Sequence, residues 1–227
     1  MKKRMLRPEG EEEVKETLVN FVLDETASMA VCLDATISGF NEYIQTLRKE
    51  CGENLVISMS LTKFNSNGIQ IVYTNKDVRE VSLLDTNSYI PNAMTPLYDA
   101  IAKTVEFVDK ELVKKNKPKI VCVIMTDGEE NASKDHTKFS ITELIKEKEK
   151  EGWNFVFLGA NQDAWLVGQS LGFSSGNIAS YTISDVGYSK AFRGLAQDTV
   201  AYSHSTDMMT KSFVSSKYNV ESTNEKE

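Results

Sequence analysis

The sequence predicts a doubly wound α/β fold: a mostly parallel central sheet of about six strands, one of them antiparallel, with helices on both faces. Three observations carry this. The apolar runs "TLVNFVL", "KIVCVIM" and "NFVFLGA" are short, nearly continuous and rich in β-branched or aromatic residues, as strands covered on both faces must be. Each of them precedes a stretch whose apolar residues recur at helical spacing. The runs "LVISMSLTKF" and "GIQIVYT", separated by "NSN" with Gly68 following, read as a hairpin and supply the antiparallel strand.

In chain order, residues 1–16 form a polar N-terminal segment, 17–204 the folded domain and 205–227 a polar tail. After the first strand, Val31, Cys32, Ala35, Phe40, Tyr43, Ile44 and Leu47 make one apolar helical face, which stops at Cys51 and Gly52. The hairpin comes next. Thr95-Pro96 then opens a helix with Leu97, Ile101, Val105, Val108 and Leu112 on one side, ended by "KKNKP" before the second parallel strand. A helix from Phe139 to Glu151 is expected to bury Phe139, Ile141, Leu144 and Ile145 and to leave "IKEKEKEG" solvated, its opposite charges three or four residues apart. "NQDAWLVGQSLGF" reads as a short helix, "NIASYTI" as a last edge strand and "DVGYSKAFRGLAQDTVAYS" as a closing helix. Trp153 and Trp165, which flank the third parallel strand, are expected to pack in the core.

Composition narrows the function classes. A formal charge of −7 and a pI near 5.1, with scattered basic residues, argue against nucleic acid as a main partner. Cys32, Cys51 and Cys122 are odd in number and far apart, so they read as buried thiols in a reducing compartment. "MKKRMLRP" leads into "EGEEEVKE" rather than an apolar export segment, and no apolar run approaches the length of a membrane span. The expected location is therefore cytoplasmic, where the sequon-like "NAS" at Asn131 carries no sugar.

Binding crevices in such sheets lie beyond the carboxyl ends of the strands. Asp24 ends "FVL" and Asp127 follows "VIMT", so two strands deliver an acid to one edge if they are neighbours. Two carboxylates ~6 Å apart repel by about 3 kcal/mol at an effective dielectric near 20. Glu25, Glu129 and Glu130 would add to this, and no Lys or Arg cluster stands near in sequence. A divalent cation reverses the sign. Because these loops offer only oxygen, the ion should be hard, Mg²⁺ or Mn²⁺ rather than Zn²⁺. Singly, each element has an ordinary explanation: Asp24 as a helix cap, Thr95-Pro96 as a helix start, "TDG" as a turn.

"DETAS", followed by "MTPLYDAI" and then "VIMTDGEENAS", resembles the von Willebrand factor A (vWA) domain and its metal ion-dependent adhesion site (MIDAS). "FLGANQDA" and "LGF" resemble stand-alone bacterial and phage members of that family. The resemblance spans roughly Thr17 to Tyr202. It implies a sheet of order 3-2-1-4-5-6 with an antiparallel edge strand. At the top of that sheet, Thr26, Ser28 and Thr95 would present hydroxyls to the ion, with Asp24 and Asp127 binding it directly or through water, and Glu25, Gly128 and Glu129 on the rim. Thr26 stands where Ser is usual, and Ala27 where Gly is frequent. The function implied is a protein-binding module in which the ion takes up an Asp or Glu of a protein partner, without catalysis.

Two other readings fit parts of the sequence. A haloacid dehalogenase-like phosphatase resembles this chain in its apolar strand ending in Asp, but such enzymes carry a second acid two residues on, where Thr26 stands. A vWA scaffold with a vestigial metal site is the other. His136 and His204 lie in polar contexts, where a lone His is far more often a surface residue than a base, so nucleophilic hydrolysis is set aside.

Overall fold

A computed structural model describes residues 15–52, 54–112, 118–127, 129–160, 162–181, 185–206 and 213. Strand β1 (Lys15–Asp24) is buried at every position from Thr17 onward. It lies between two parallel neighbours, β2 (Leu55–Asn65) and β4 (Lys119–Thr126). β5 (Trp153–Ala160) and the short β6 (Ile178–Tyr181) continue the sheet in parallel, and β3 (Gly68–Asp77) closes the other edge in antiparallel. The order is β3-β2-β1-β4-β5-β6, as expected.

The continuous apolar runs are explained by two cores, one on each face. Strand side chains alternate in direction, so Val19, Phe21 and Leu23 of β1 face helices α1 (Leu33–Glu50) and α5 (Asp185–His204), while Leu18 and Val22 face α2 (Leu97–Leu112) and α3 (Lys138–Lys150). Helix α4 (Gln162–Ser170) packs beside β5 and β6. On the α2 side Leu97, Ile101, Val105 and Val108 are buried as the spacing requires, and Trp153 is core. The side chains of Leu112 and Trp165 lie outside the described residues. None of the described helices is long and apolar enough to cross a membrane.

Four expectations need correction. Lys148, in the stretch expected to be solvated, is buried and pairs with Asp109 at 2.7 Å and Glu151 at 2.9 Å. The apolar helix face does not begin at Val31: a 3-10 turn (Ala27–Cys32) precedes α1, and Val31 is 73% exposed. In a 3-10 turn residues i and i+3 eclipse, so Val31 follows the exposed Ser28 to solvent. Phe139 is 76% exposed, because it sits about 200° around α3 from the buried Ile141. Cys51 is half-buried rather than buried; all three cysteines are free thiols. At the ends, β1 already starts at Lys15, and Phe213, within the stretch read as a polar tail, is buried against Tyr202 with its N–H donated to Asn177.

The α1–α5 contact depends on a missing side chain. Gly39 lets α1 approach α5 so closely that an added Cβ would stand 2.2 Å from a ring carbon of Phe192. That ring is fixed, stacked on Phe21 at 6.3 Å and on Tyr188 at 6.4 Å. Gly39→Ala should thus forfeit its intrinsic helix gain of about 1 kcal/mol and lower stability by roughly 1–3 kcal/mol through overpacking. A fall in the urea midpoint at unchanged slope checks this; an equal or higher midpoint contradicts it.

Candidate metal centre

β1 and β4 are adjacent and in register, Leu23 opposite Met125, so Asp24 and Asp127 emerge at the same edge. The Asp24 carboxylate is fully buried. Its Oδ1 accepts the Thr26 N–H at 2.8 Å and its Oδ2 the Thr126 hydroxyl at 2.6 Å. The ordinary local reading of Asp24 is thus half right, since it does organise the turn after its own strand. The Thr26 and Ser28 hydroxyl oxygens lie 3.2 Å apart, and the Ser28 hydroxyl donates to Asp127 Oδ1 at 2.7 Å. Asp24, Thr26, Ser28 and Asp127 are therefore one hydrogen-bonded chain, joined at Asp24 through the Thr26 N–H and from Thr26 onward through side-chain oxygens.

Burial pushes the Asp24 carboxyl up to about 6; the hydrogen bonds from Thr126 and Thr26 partly offset this, and the Asp127 charge adds to it. Burial raises Asp127 as well, against the pull of Ser28. Both carboxylates are held where burial disfavours their negative charge. Adjacent oxygens around an octahedral ion with bonds near 2.1 Å stand ~3.0 Å apart. The observed 3.2 and 2.7 Å separations bracket that spacing. Among the described residues no three Asp, Glu, His or Cys side chains cluster to hold a metal, so any ion here depends on the hydroxyls.

Thr95 reaches this edge by its backbone. Its N–H donates to Asn131 Oδ1 at 2.8 Å, and its carbonyl accepts from Asn131 and Ala132 at 3.0 and 3.2 Å, which binds it to the loop after Asp127. Two residues earlier the Ala93 carbonyl accepts the Ala27 N–H at 3.0 Å, tying the same segment to the first loop. Ala93 holds φ 65°, a left-handed conformation that is unfavourable for a residue with a Cβ and that clusters at functional sites. Thr26 and Thr95 are buried, Asp127 is half-buried and Ser28 is exposed. The set therefore reaches solvent at Ser28 and Asp127.

The acids assigned to the rim behave differently from one another. Glu25 is no free rim charge: it pairs with Lys63 at 2.7 Å, both side chains nearly buried, and its Oε1 also accepts the Ile90 N–H. Glu129 is exposed. Gly128 lies outside the described residues. Glu130 turns inward, where Oε2 accepts the Tyr98 N–H at the start of α2 and the Ser133 hydroxyl, and Oε1 accepts the Ala132 and Ser133 N–H groups. Asp99 accepts the Lys134 and His136 N–H groups and completes the clamp between α2 and the 129–136 loop.

Sequence reasoning missed Thr126, Lys63, Tyr89, Glu130, Asn131 and Asp99 as supports. Thr126, Glu130 and Asn131 flank Asp127 inside "TDGEEN" and could have been suspected. Lys63 and Tyr89, whose hydroxyl donates to the Asp24 carbonyl at 2.6 Å, carry no local signal.

The sequence matches no family model and no curated protein. Solved structures match the fold. The pilus adhesin SpaC from Lactobacillus rhamnosus GG superposes with TM-score 0.64 at 14% identity, over 85% of this chain and 31% of that one. The vWF domain of the type V pili tip protein Mfa5 from Porphyromonas gingivalis gives 0.60 at 10% identity, over 86% and 98%. Proximal thread matrix protein 1 from the mussel byssus, in a structure with a zinc-occupied MIDAS motif, gives 0.54 at 15% identity, over 83% and 46%. The chain thus spans less than half of the mussel protein and about a third of the adhesin, but nearly all of the Mfa5 domain. At these identities the likeness establishes the fold, that of a vWA domain.

The raised Asp24 carboxyl has a definite pH consequence. Its folded value, about 6, lies above the ordinary 3.8, so between the two the folded state holds more protons and stability falls as pH rises. In metal-free buffer, the stability of the wild type relative to Asp24→Asn should drop by on the order of 3 kcal/mol from pH 4 to pH 7. Denaturant titrations of both proteins check this, and a difference independent of pH would contradict it.

Proposed function

We propose that this chain is a protein-binding module in which Asp24, Thr26, Ser28, Thr95 and Asp127 hold a divalent cation, Mg²⁺ or Mn²⁺, that takes up the carboxylate of a protein partner. The carrying observation is the run of oxygens from the Thr26 hydroxyl through Ser28 to Asp127, on the turn that buried Asp24 holds by accepting the Thr26 N–H. The zinc-occupied MIDAS of the mussel byssus protein, on the same fold, supports it.

The division of labour among the residues follows from charge. The bound ion would supply a positive charge with exchangeable coordination positions, open to an oxygen ligand from outside. Asp24 and Asp127 bring two negative charges, and Glu25 adds none because Lys63 neutralises it. Thr26, Ser28 and Thr95 bring neutral oxygens, so the inner set compensates a double charge without overcompensating it. Asp24, with both oxygens engaged by Thr26 and Thr126, is a fixed anchor; Ser28, exposed, marks the side from which a partner approaches.

The module is read as a binder and not an enzyme. Two residues after Asp24, Thr26 spends its hydroxyl on Ser28, and no acid stands there to move a proton for a phosphatase. A cytoplasmic setting, with its thiols kept reduced, belongs to the same reading.

Millimolar Mg²⁺ or Mn²⁺ should raise the melting temperature of the wild type by mass action, reversibly with chelator. Ser28→Ala and Thr95→Ala should stay folded and lose most of that rise. Differential scanning calorimetry tests this: no ion-dependent shift in the wild type, or an undiminished shift in both variants, defeats the assignment. Hydrolysis of a generic phosphate ester that vanishes in Asp24→Asn would replace the binding reading with the enzymatic one.

A further inference from the structure

Ile90 and Met94 are 61% and 53% exposed on an ordered segment that borders the oxygen set, and Val31 is 73% exposed on the 3-10 turn that carries Ser28. Large apolar side chains scattered singly need no explanation, but Ile90 and Met94 share one segment, whose Ala93 carbonyl accepts the Ala27 N–H at the start of the turn that carries Val31. They are also held out to solvent by an unusually well-fixed backbone. The Ile90 N–H donates to Glu25 Oε1 and the Asn92 N–H to the Glu25 carbonyl. Met94 is fastened twice to Ser66, its carbonyl accepting the Ser66 N–H at 2.8 Å and its own N–H reaching the Ser66 hydroxyl at 3.1 Å. Lys63 pins the start of the segment through the Ser88 carbonyl at 2.6 Å. Between Ile90 and Met94, Ala93 sits in its left-handed conformation.

We infer that Ile90, Met94 and Val31 form an apolar rim that selects, among carboxylate-bearing partners, a segment whose Asp or Glu is flanked by a large apolar side chain. The inference rests on the reading of the site as an ion that takes up a carboxylate, and it names the chemistry next to that carboxylate. Charge decides the class of neighbour. The stretches "ASMAV" (27–31) and "IPNAM" (90–94) contain no charged residue, and Glu25 beside them is cancelled by Lys63. A charged flank on the partner would be desolvated there without a counter-charge, whereas an apolar flank gains burial. On the β4 side of the site, by contrast, Glu129 stands exposed, so the preference is confined to the β2 side. The eclipsed geometry of the 3-10 turn puts Val31 on the same face as Ser28. A rigid backbone adds to the gain, because little further ordering accompanies binding.

The test uses two capped tripeptides of identical charge, Gly-Asp-Gly and Phe-Asp-Leu, titrated into the full chain at saturating Mg²⁺ and followed by backbone amide NMR of Ala27 and Ser28. The apolar-flanked peptide should bind about tenfold tighter to the wild type. In an Ile90→Ser, Met94→Ser double variant that advantage should shrink to about twofold while Gly-Asp-Gly binds as before. Both positions are exposed, and an unchanged Mg²⁺-induced melting shift confirms that the variant is folded and loaded. Equal affinities in the wild type, or an advantage that survives in the variant, would overturn the rim while leaving the ion site standing. If Phe-Asp-Leu kept its advantage in chelator, the rim would stand and the ion reading would fall. If neither peptide bound, both would fall.

Discussion

The adjacency of β1 and β4 is the constraint on which everything else depends. Two parallel strands in register bring Asp24 and Asp127 to one edge, and the burial that makes the strands stable also removes water from the first carboxylate. Folding therefore creates an electrostatic debt at a defined point, visible in two acids whose protons are held above the ordinary range. The protein partly relieves it with hydroxyl donors, Thr126 and Ser28, instead of with a lysine or arginine. Hydroxyls can turn their lone pairs toward a cation and their protons toward a carboxylate, so the same side chains serve the site with or without an ion.

Around that point the acids divide by task. Glu25, Glu130 and Asp99 turn away from the oxygen set and bond backbone N–H groups or Lys63, so their charges brace loops rather than accumulate at the site. Glu130 and Asp99 stitch the loop after β4 to the start of α2, which positions Thr95; Glu25 stitches the 88–94 segment to β1 and β2. This bracing also holds Ala93 in an unfavourable conformation, a local strain that only an over-determined loop retains. Rigid loops with few free charges suit recognition, since a partner then meets a preformed surface.

Much of this was legible in the sequence. The three continuous apolar runs dictated two-sided burial, the "NSN" hairpin gave β3 its direction, and the strand-terminal acids marked the edge where the hydroxyls gather. What could not be read was set by long-range geometry. Lys63 lies thirty-eight positions from Glu25 and Tyr89 sixty-five from Asp24, so no local pattern announces either contact. Val31 misled because an apolar residue four positions before Ala35 fits an α-helical face, and only the tighter 3-10 turn sends it to solvent. Phe139 misled for the opposite reason: a large aromatic in an amphipathic helix need not lie on the buried stripe.

The most direct test of the central claim is crystallographic. Crystals grown with Mn²⁺ and measured at its absorption edge should show one strong anomalous peak within about 2.0–2.5 Å of the Ser28 hydroxyl oxygen, with Asp24 and Asp127 on either side directly or through water. A strong peak elsewhere on the chain, with none beside Ser28, would contradict the account.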